Sequence, residues 1–235
     1  MNEIQIQSEK YKFPYHWLKN PYSLNPRNRF WDIARIKIFI SLLSPLKNKK
    51  VLDVGCGDGR TAFELIKQGA EVYGIDISKK AINYAKTFVP EGKFSVQDIT
   101  KTEFKDEIFD AIILSEVIEH IPPEDLKLCL IECYGILKRE GILVLSTPSI
   151  KIPLTREHFK HYSKAELEEI LGKYFQIKKI FGFRRKSKIL NLLERILIND
   201  YVQLNFMAGF FNGICWADCG MGTFALCKKD GGRKI

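Results

Sequence analysis

The stretch VLDVGCGDGR, residues 51–60, limits what this chain can fold into more than any other. A short apolar run that ends in Asp53 and breaks into Gly55, Gly57 and Gly59 reads as a buried strand turning sharply off its end. Glycines at alternate positions let the backbone take positive φ and leave room for a small molecule against the main chain. The dinucleotide-binding pattern G-x-G-x-x-G is absent in its full form, because Arg60 stands where its last glycine would be. The loop therefore suits a small ligand held without the pyrophosphate fingerprint, with Asp53 pointing into its space.

The segments that follow alternate strand and helix. Ala62, Leu65 and Ile66 mark a helix face, Gly69 stops it, and EVYGIDIS forms a second strand ending at Asp76, 23 positions after Asp53. A carboxylate at the end of the strand beside a glycine loop can accept from ribose hydroxyls. Its competing role is as an N-terminal partner for the helix opening near Ser78. KFSVQDIT predicts a third strand closing on Asp98 and Ile99, and FDAIILSEVIEHIP a fourth, buried on both faces and followed by Glu116, Glu119 and His120. A helix over 124–137 turns inward Leu126, Cys129, Leu130, Cys133 and Leu137, KREG makes a turn, and GILVLSTPS is the fifth strand. Ser163 and Glu166 spell a capping box for a helix through Tyr174. FQIKKIFGF and TFALCKK read as the last two long strands.

Two regions stand outside this alternation. Residues 1–45 form an irregular arm rich in Tyr, Pro and Asn, then a helix over 28–43 with Phe30, Ile33, Ile36, Ile40 and Leu43 on one side. The arm's Tyr11, Phe13, Tyr15, His16 and Trp17 suit either a cover for a pocket or plain packing on the domain. The remainder, 46–235, reads as one catalytic-type domain with an insertion at about 184–222. That insertion combines a basic entry (RRKSK), an amphipathic helix around 189–198 and a glycine-broken aromatic stretch, which suit a lid or a dimer surface.

Composition narrows the class further. With 46% hydrophobic residues in 235, the chain can bury a core, and no apolar run reaches the roughly 20 residues that span a bilayer. The first ten residues are polar and charged, so a cytoplasmic protein is expected. Six cysteines without a C-x-x-C pair predict reduced, mostly buried thiols, and Cys215 and Cys219 lack a second ligand pair. A net charge of +9 permits RNA or an anionic surface as partner without requiring either.

Taken in order, DVGCGDG, YGIDIS, VQDIT, FDAIILSEVIEHIP and LKREGILVLSTPS resemble the class I S-adenosylmethionine-dependent methyltransferases, in particular the small-molecule group that includes the ubiquinone-biosynthesis type. The resemblance spans about residues 50–182. It implies an α/β Rossmann-like, doubly wound sheet of seven mostly parallel strands with an antiparallel last strand and helices on both faces. It implies S-adenosyl-L-methionine as cofactor, bound by Asp53, Gly55, Cys56, Gly57, Asp76, Ile77, Asp98, Ile99, Ser115 and Glu116. Its acceptor would be a small molecule, for example glycan, lipid or quinone-like, taken up by a monomer or homodimer. His120 is the candidate general base, an imidazole titrating near neutrality being suited to that work. Tyr15, His16, His158 and His161 are candidate acceptor contacts. The turn Lys138, Arg139, Glu140, Gly141 departs from the family's K-P-G-G. E-x-x-E-H at 116–120 also resembles the metal-binding stretch of the RNA terminal 2′-O-methyltransferases, with Glu116, Glu119, His120 and a further histidine, His158 or His161, as the alternative metal set. A cofactor-binding module without catalysis is the second alternative.

Overall fold

The structure is a computed structural model and describes residues 11, 14, 16, 17, 26–185, 214, 215, 218 and 220–230. The strands are β1 (Lys50–Val54), β2 (Glu71–Asp76), β3 (Lys93–Val96), β4 (Phe109–Ser115), β5 (Leu137–Pro148), β6 (Gln176–Arg185), β7 (Ile214–Cys215) and β8 (Gly220–Lys228). The helices are α1 (Pro26–Leu43), α2 (Arg60–Lys67), α3 (Lys79–Phe88), α4 (Leu126–Ile136) and α5 (Lys164–Gly172), with a single 3-10 turn at Ile118–His120.

One sheet orders the strands β3-β2-β1-β4-β5-β8-β6-β7. β1 to β5 pair in parallel, and β8 inserts antiparallel between β5 and β6. This is the expected doubly wound sheet with its antiparallel last strand. The two-residue β7, paired with Gly182 and Phe183 of β6, is an addition that lies inside the proposed insertion. The chain leaves β1 for β2 and β3 on one side, then returns to lay β4 and β5 on the other. A crevice opens at such a reversal, beyond the carboxyl ends of the strands.

Alternation along each strand builds two cores, one per face. Val51, Val72, Ala111, Ile113 and Val144 meet Ile33, Ala34 and Phe39 of α1, Ala62 and Leu65 of α2, and Ile82 and Ala85 of α3. Leu52, Val54, Ile112, Leu114, Leu143 and Leu145 meet Leu126, Cys129, Leu130 and Cys133 of α4 and Leu167 and Leu171 of α5. Buried on both faces, the central strands show the continuous apolar runs that parallel strands need. Cys56, Cys129, Cys133 and Cys227 are buried free thiols, as expected.

The caps agree with the sequence. Ser78 Oγ accepts from the Ala81 N–H at the start of α3, and Ser163 with Glu166 forms the full capping box of α5. Two boundaries differ. α4 ends at Ile136, and Leu137 already pairs with Phe109 as the first residue of β5. The KREG segment is then a bulge within that strand, pairing resuming at Ala111 opposite Ile142, with Glu140 at φ 63. The helix expected over 189–198, the side chains of Cys215 and Cys219, and both Phe13 and Tyr15 lie outside the described residues. Among the described residues, no helix is long and apolar enough to cross a membrane.

Candidate active site

The glycine loop leaves β1 with φ of 64 at Gly55, 57 at Gly57 and 85 at Gly59, all in the left-handed region. A Cβ on Gly55 would lie 2.7 Å from Val117 Cγ2, so the first glycine is required by space as well as by φ. The Cys56 N–H donates to the Ile75 carbonyl at 3.0 Å, pinning the loop to the end of β2. Asp76 then receives the Gly57 N–H at 3.0 Å on Oδ2 and the Ser78 N–H at 2.8 Å on Oδ1. The second of the two readings of Asp76 is the one these bonds show. It supports the start of α3, and each oxygen keeps a second lone pair for a ligand.

A cavity of about 350 Å³ opens over this loop, within the range of small-molecule sites. Its walls include Gly55, Cys56, Gly57, Asp76 and Ile77 from the first half of the sheet. Asp98 and Ile99, which follow β3, continue that side, Ser115, Glu116 and His120 at and beyond the end of β4 close the other, and His16 of the arm reaches in. Nearly every residue expected at the cofactor is therefore brought to one place. Tyr11, one of the arm aromatics, lines it too, as do residues that the sequence did not single out, notably Asp32, Arg35 and Thr100. The apolar period of α1 marks only its core side and carries no sign of Arg35. In the fold its guanidinium lies 2.7 Å from Asp32 and 3.7 Å from Glu116, at the cavity wall.

Three expectations are corrected by position. Asp53 does not line the cavity: it sits beneath the loop, 1% exposed, on the Val51 face of β1. Its Oδ2 has no hydrogen-bond partner among the described residues, and burial with the nearby Asp76 carboxylate raises its pKa to about 7. His158 and His161 do not face the cleft either. The loop after β5 folds back so that His158 packs edge-on against His120, ring centroids 4.6 Å apart, and bonds His161 at 2.7 Å. The alternative metal set also regroups. Among the described residues Glu119, His120 and His158 each bring one ligand atom within 4.8 Å of the others, while Glu116 accepts from Ser146 Oγ at 2.9 Å. His161 stands one step back, its Nδ1 donating to the Ile152 carbonyl at 3.1 Å.

His120 lines the cavity and is held from the loop after β5. Its Nδ1 donates to the Glu157 carbonyl at 2.8 Å, which fixes the orientation of the ring. Behind it Glu119 is fully buried, Oε2 accepting from Thr147 Oγ1 at 3.1 Å and Oε1 without a partner. Burial first, then the Glu116 charge, push the Glu119 carboxyl well above its ordinary range, so it favours the protonated form. Burial likewise keeps the Cys56 thiol protonated.

Comparison with known proteins decides the class. A methyltransferase domain model matches residues 52–145, which runs from the glycine-loop strand to the end region of β5. Residues 52–145 carry a methyltransferase domain. Ubiquinone biosynthesis O-methyltransferase of Pasteurella multocida is 31% identical over 162 residues, covering 63% of this chain and 63% of that protein. The Pelagibacter ubique protein of the same name is 38% identical over 109 residues, 44% of this chain and 43% of that one. The chain thus spans about half to two thirds of these relatives' length. Among solved structures, a SAM dependent methyltransferase from Archaeoglobus fulgidus superposes with a TM-score of 0.64 at 21% identity, covering 85% of this chain and 93% of that one. Magnesium protoporphyrin IX methyltransferase from Synechocystis PCC 6803, solved with bound SAM, gives 0.64 at 18% identity over 98% of each chain. The matches lend no support to the RNA or non-catalytic alternatives. The methyltransferase domain of this chain has donors and acceptors that fit the cofactor of its class, which offers ribose hydroxyls, an adenine, a sulfonium, an ammonium and a carboxylate but no phosphate.

Proposed function

We propose that this methyltransferase transfers the methyl group of S-adenosylmethionine to a small-molecule acceptor. The observation that carries the reading is the cavity at the chain reversal. It combines strand-end carboxylates at Asp76 and Asp98, apolar walls at Ile77 and Ile99, and guanidinium groups at Arg35 and Arg60. Carboxylates suit hydroxyl and cationic groups, and Arg35 suits one carboxylate. When bound, the cofactor supplies an activated methyl group. The protein's part is to hold the acceptor in line, exclude water and take up a proton where the acceptor has one to lose.

Asp76 would hold the ribose, with Ile77 and Ile99 covering the adenine and Asp98 at its edge. Gly55, Cys56 and Gly57 would pass close to the methionine part, and Ser115 and Glu116 would border the sulfur end. Asp53 would act from beneath, by charge. His120 Nε2 is the group we assign to the acceptor's proton.

The acceptor is read into a recess of about 80 Å³ that shares Arg35 and Glu116 with the main cavity and is floored by Phe183, Met221 and Phe224. Phe183 and Met221 flank residues 184–220, so the insertion enters and leaves at this rim. Its placement supports the division into an arm and helix (1–45) and a methyltransferase domain (46–235) whose insertion shapes the acceptor site. The name carried by the curated relatives, an O-methyltransferase of ubiquinone biosynthesis, supports an oxygen on a quinone-like ring as the first acceptor to test.

Titration calorimetry with S-adenosylhomocysteine and with NAD, followed by transfer of labelled methyl to a panel of catechols and related phenols, tests the reading. Binding of the first ligand and label in a phenol are expected. Tight NAD binding without response to S-adenosylhomocysteine would end it.

A further inference from the structure

Asp58 is the variable residue between the second and third glycines of the loop, where cofactor binding asks for no particular side chain. Yet it is a fully buried carboxylate. It takes two bonds from a residue 42 positions earlier: the His16 backbone N–H donates to Oδ2 at 3.1 Å, and His16 Nδ1 meets Oδ1 at 2.8 Å. The next residue completes the grip. Trp17 Nε1 donates to the Asp58 carbonyl at 2.8 Å, and its ring lies against Phe63 and Phe88, centroids 5.1 and 5.3 Å away, under the Arg60 guanidinium at 5.2 Å. Held there, the arm lays the Tyr11 hydroxyl directly over Gly57, where any Cβ would collide with it. Tyr11 and His16 then form part of the cofactor cavity wall.

We propose that Asp58 is a positioning residue: it latches the amino-terminal arm across the cofactor cavity through His16, so that cofactor release requires this contact to open. The proposal rests on the methyltransferase reading above. A carboxylate serving the loop alone would be expected to cap the loop's own N–H groups. This one is instead turned outward onto the arm, and the arm's two cavity-lining side chains flank the contact.

The charges around His16 give the latch a pH dependence. Asp58 faces it from the loop, Asp53 from β1, Asp76 from the end of β2, and Asp32 with Arg35 from α1. Burial acts to lower the His16 pKa, but the Asp58 hydrogen bond and charge, then Asp32, outweigh it and Arg35, and the value is raised. A raised value means that the latch is at full strength below the ordinary histidine range and is lost as pH rises through the folded value.

The test is the release rate of S-adenosylhomocysteine, by stopped-flow displacement between pH 6 and 9, in the wild type, Asp58→Ala and His16→Gln. The wild type should release faster as pH rises. Both variants should release roughly tenfold faster at pH 6, as expected for lost bonds to a charged acceptor, and with a flattened pH profile. Wild-type release rates in both variants would overturn the latch. Faster release with an unchanged pH profile would also overturn it, because that is what general loosening of the loop produces. If Asp58→Ala does not fold, His16→Gln, which alters a part-exposed arm side chain, decides alone. Failure of the wild type to bind the probe at all would strike the cofactor assignment instead, so the two failures are distinct.

Discussion

Replacing Asp53 by Asn tests the electrostatics of the site at its most strained point. Burial and the Asp76 charge move this carboxyl from 3.8 to about 7. At 1.36 kcal/mol per unit, that rise of about 3 units amounts to roughly 4 kcal/mol between the two protonation states. A carboxyl whose folded value is raised contributes stability that is full below pH about 4 and is lost as pH rises through about 7. Above that, the folded protein carries a buried anion with one oxygen unpartnered. Asn removes the charge and keeps the shape, but leaves a buried amide with poor partners, which returns about 1–3 kcal/mol. The net expectation is a gain of about 2 kcal/mol at pH 8, or roughly 4–8 °C in melting temperature for a chain of this size. At pH 4 the order should reverse, with the wild type more stable by about 1–3 kcal/mol. Urea unfolding from pH 4 to 8 reads both arms. Curves for the two proteins that run parallel, offset by a constant, would refute the argument, because they would mean Asp53 ionises normally in the folded state. Cofactor affinity should fall in the variant, since the charge that faces the cation from below is gone.

Asp76→Ala should weaken S-adenosylhomocysteine by roughly 1.5–3 kcal/mol in calorimetry, and an unchanged affinity would move the ribose contact elsewhere. It should also lower the melting temperature, because the Gly57 and Ser78 N–H groups lose their acceptor. Gly55→Ala combines a φ of 64 with a Cβ 2.7 Å from Val117, and should cost about 1–3 kcal/mol of stability and most cofactor binding. A stable variant with normal affinity would show that the loop relaxes. His120→Gln should reduce turnover by roughly 10²- to 10⁴-fold with cofactor affinity intact, measured by methyl-label transfer. Unreduced turnover would assign the proton to another group, with Glu116 next in line.

Much of the cofactor side was legible before any coordinates. Glycine spacing, strand-end carboxylates and apolar runs are local signals, each readable within about ten residues, and they picked out the loop, Asp76, Ile99 and Glu116, which line one cavity. Boundaries were less legible where a local signal had two solutions. KREG reads as a turn after a helix, and tertiary pairing of Leu137 with Phe109 made it a bulge inside β5 instead. The histidines after β5 carried no local mark of which way they point. Their loop is tied back when the Phe159 N–H donates to the Glu119 carbonyl at 2.8 Å, which sets His158 behind His120 rather than on the cavity wall.

By itself the sequence determined the alternation of strands and helices, the loop that bends at three glycines, and the carboxylates that close β2 and follow β3. These follow from backbone sterics and from periodicity, which act between near neighbours. Only the tertiary structure decided that Arg35 of α1 faces the cavity, that Asp53 lies under it, and that Asp58 belongs to the arm rather than to the ligand. Those facts depend on contacts between segments far apart in the chain, such as His16 with Asp58 across 42 positions, and no local pattern encodes which distant partner a buried charge will meet.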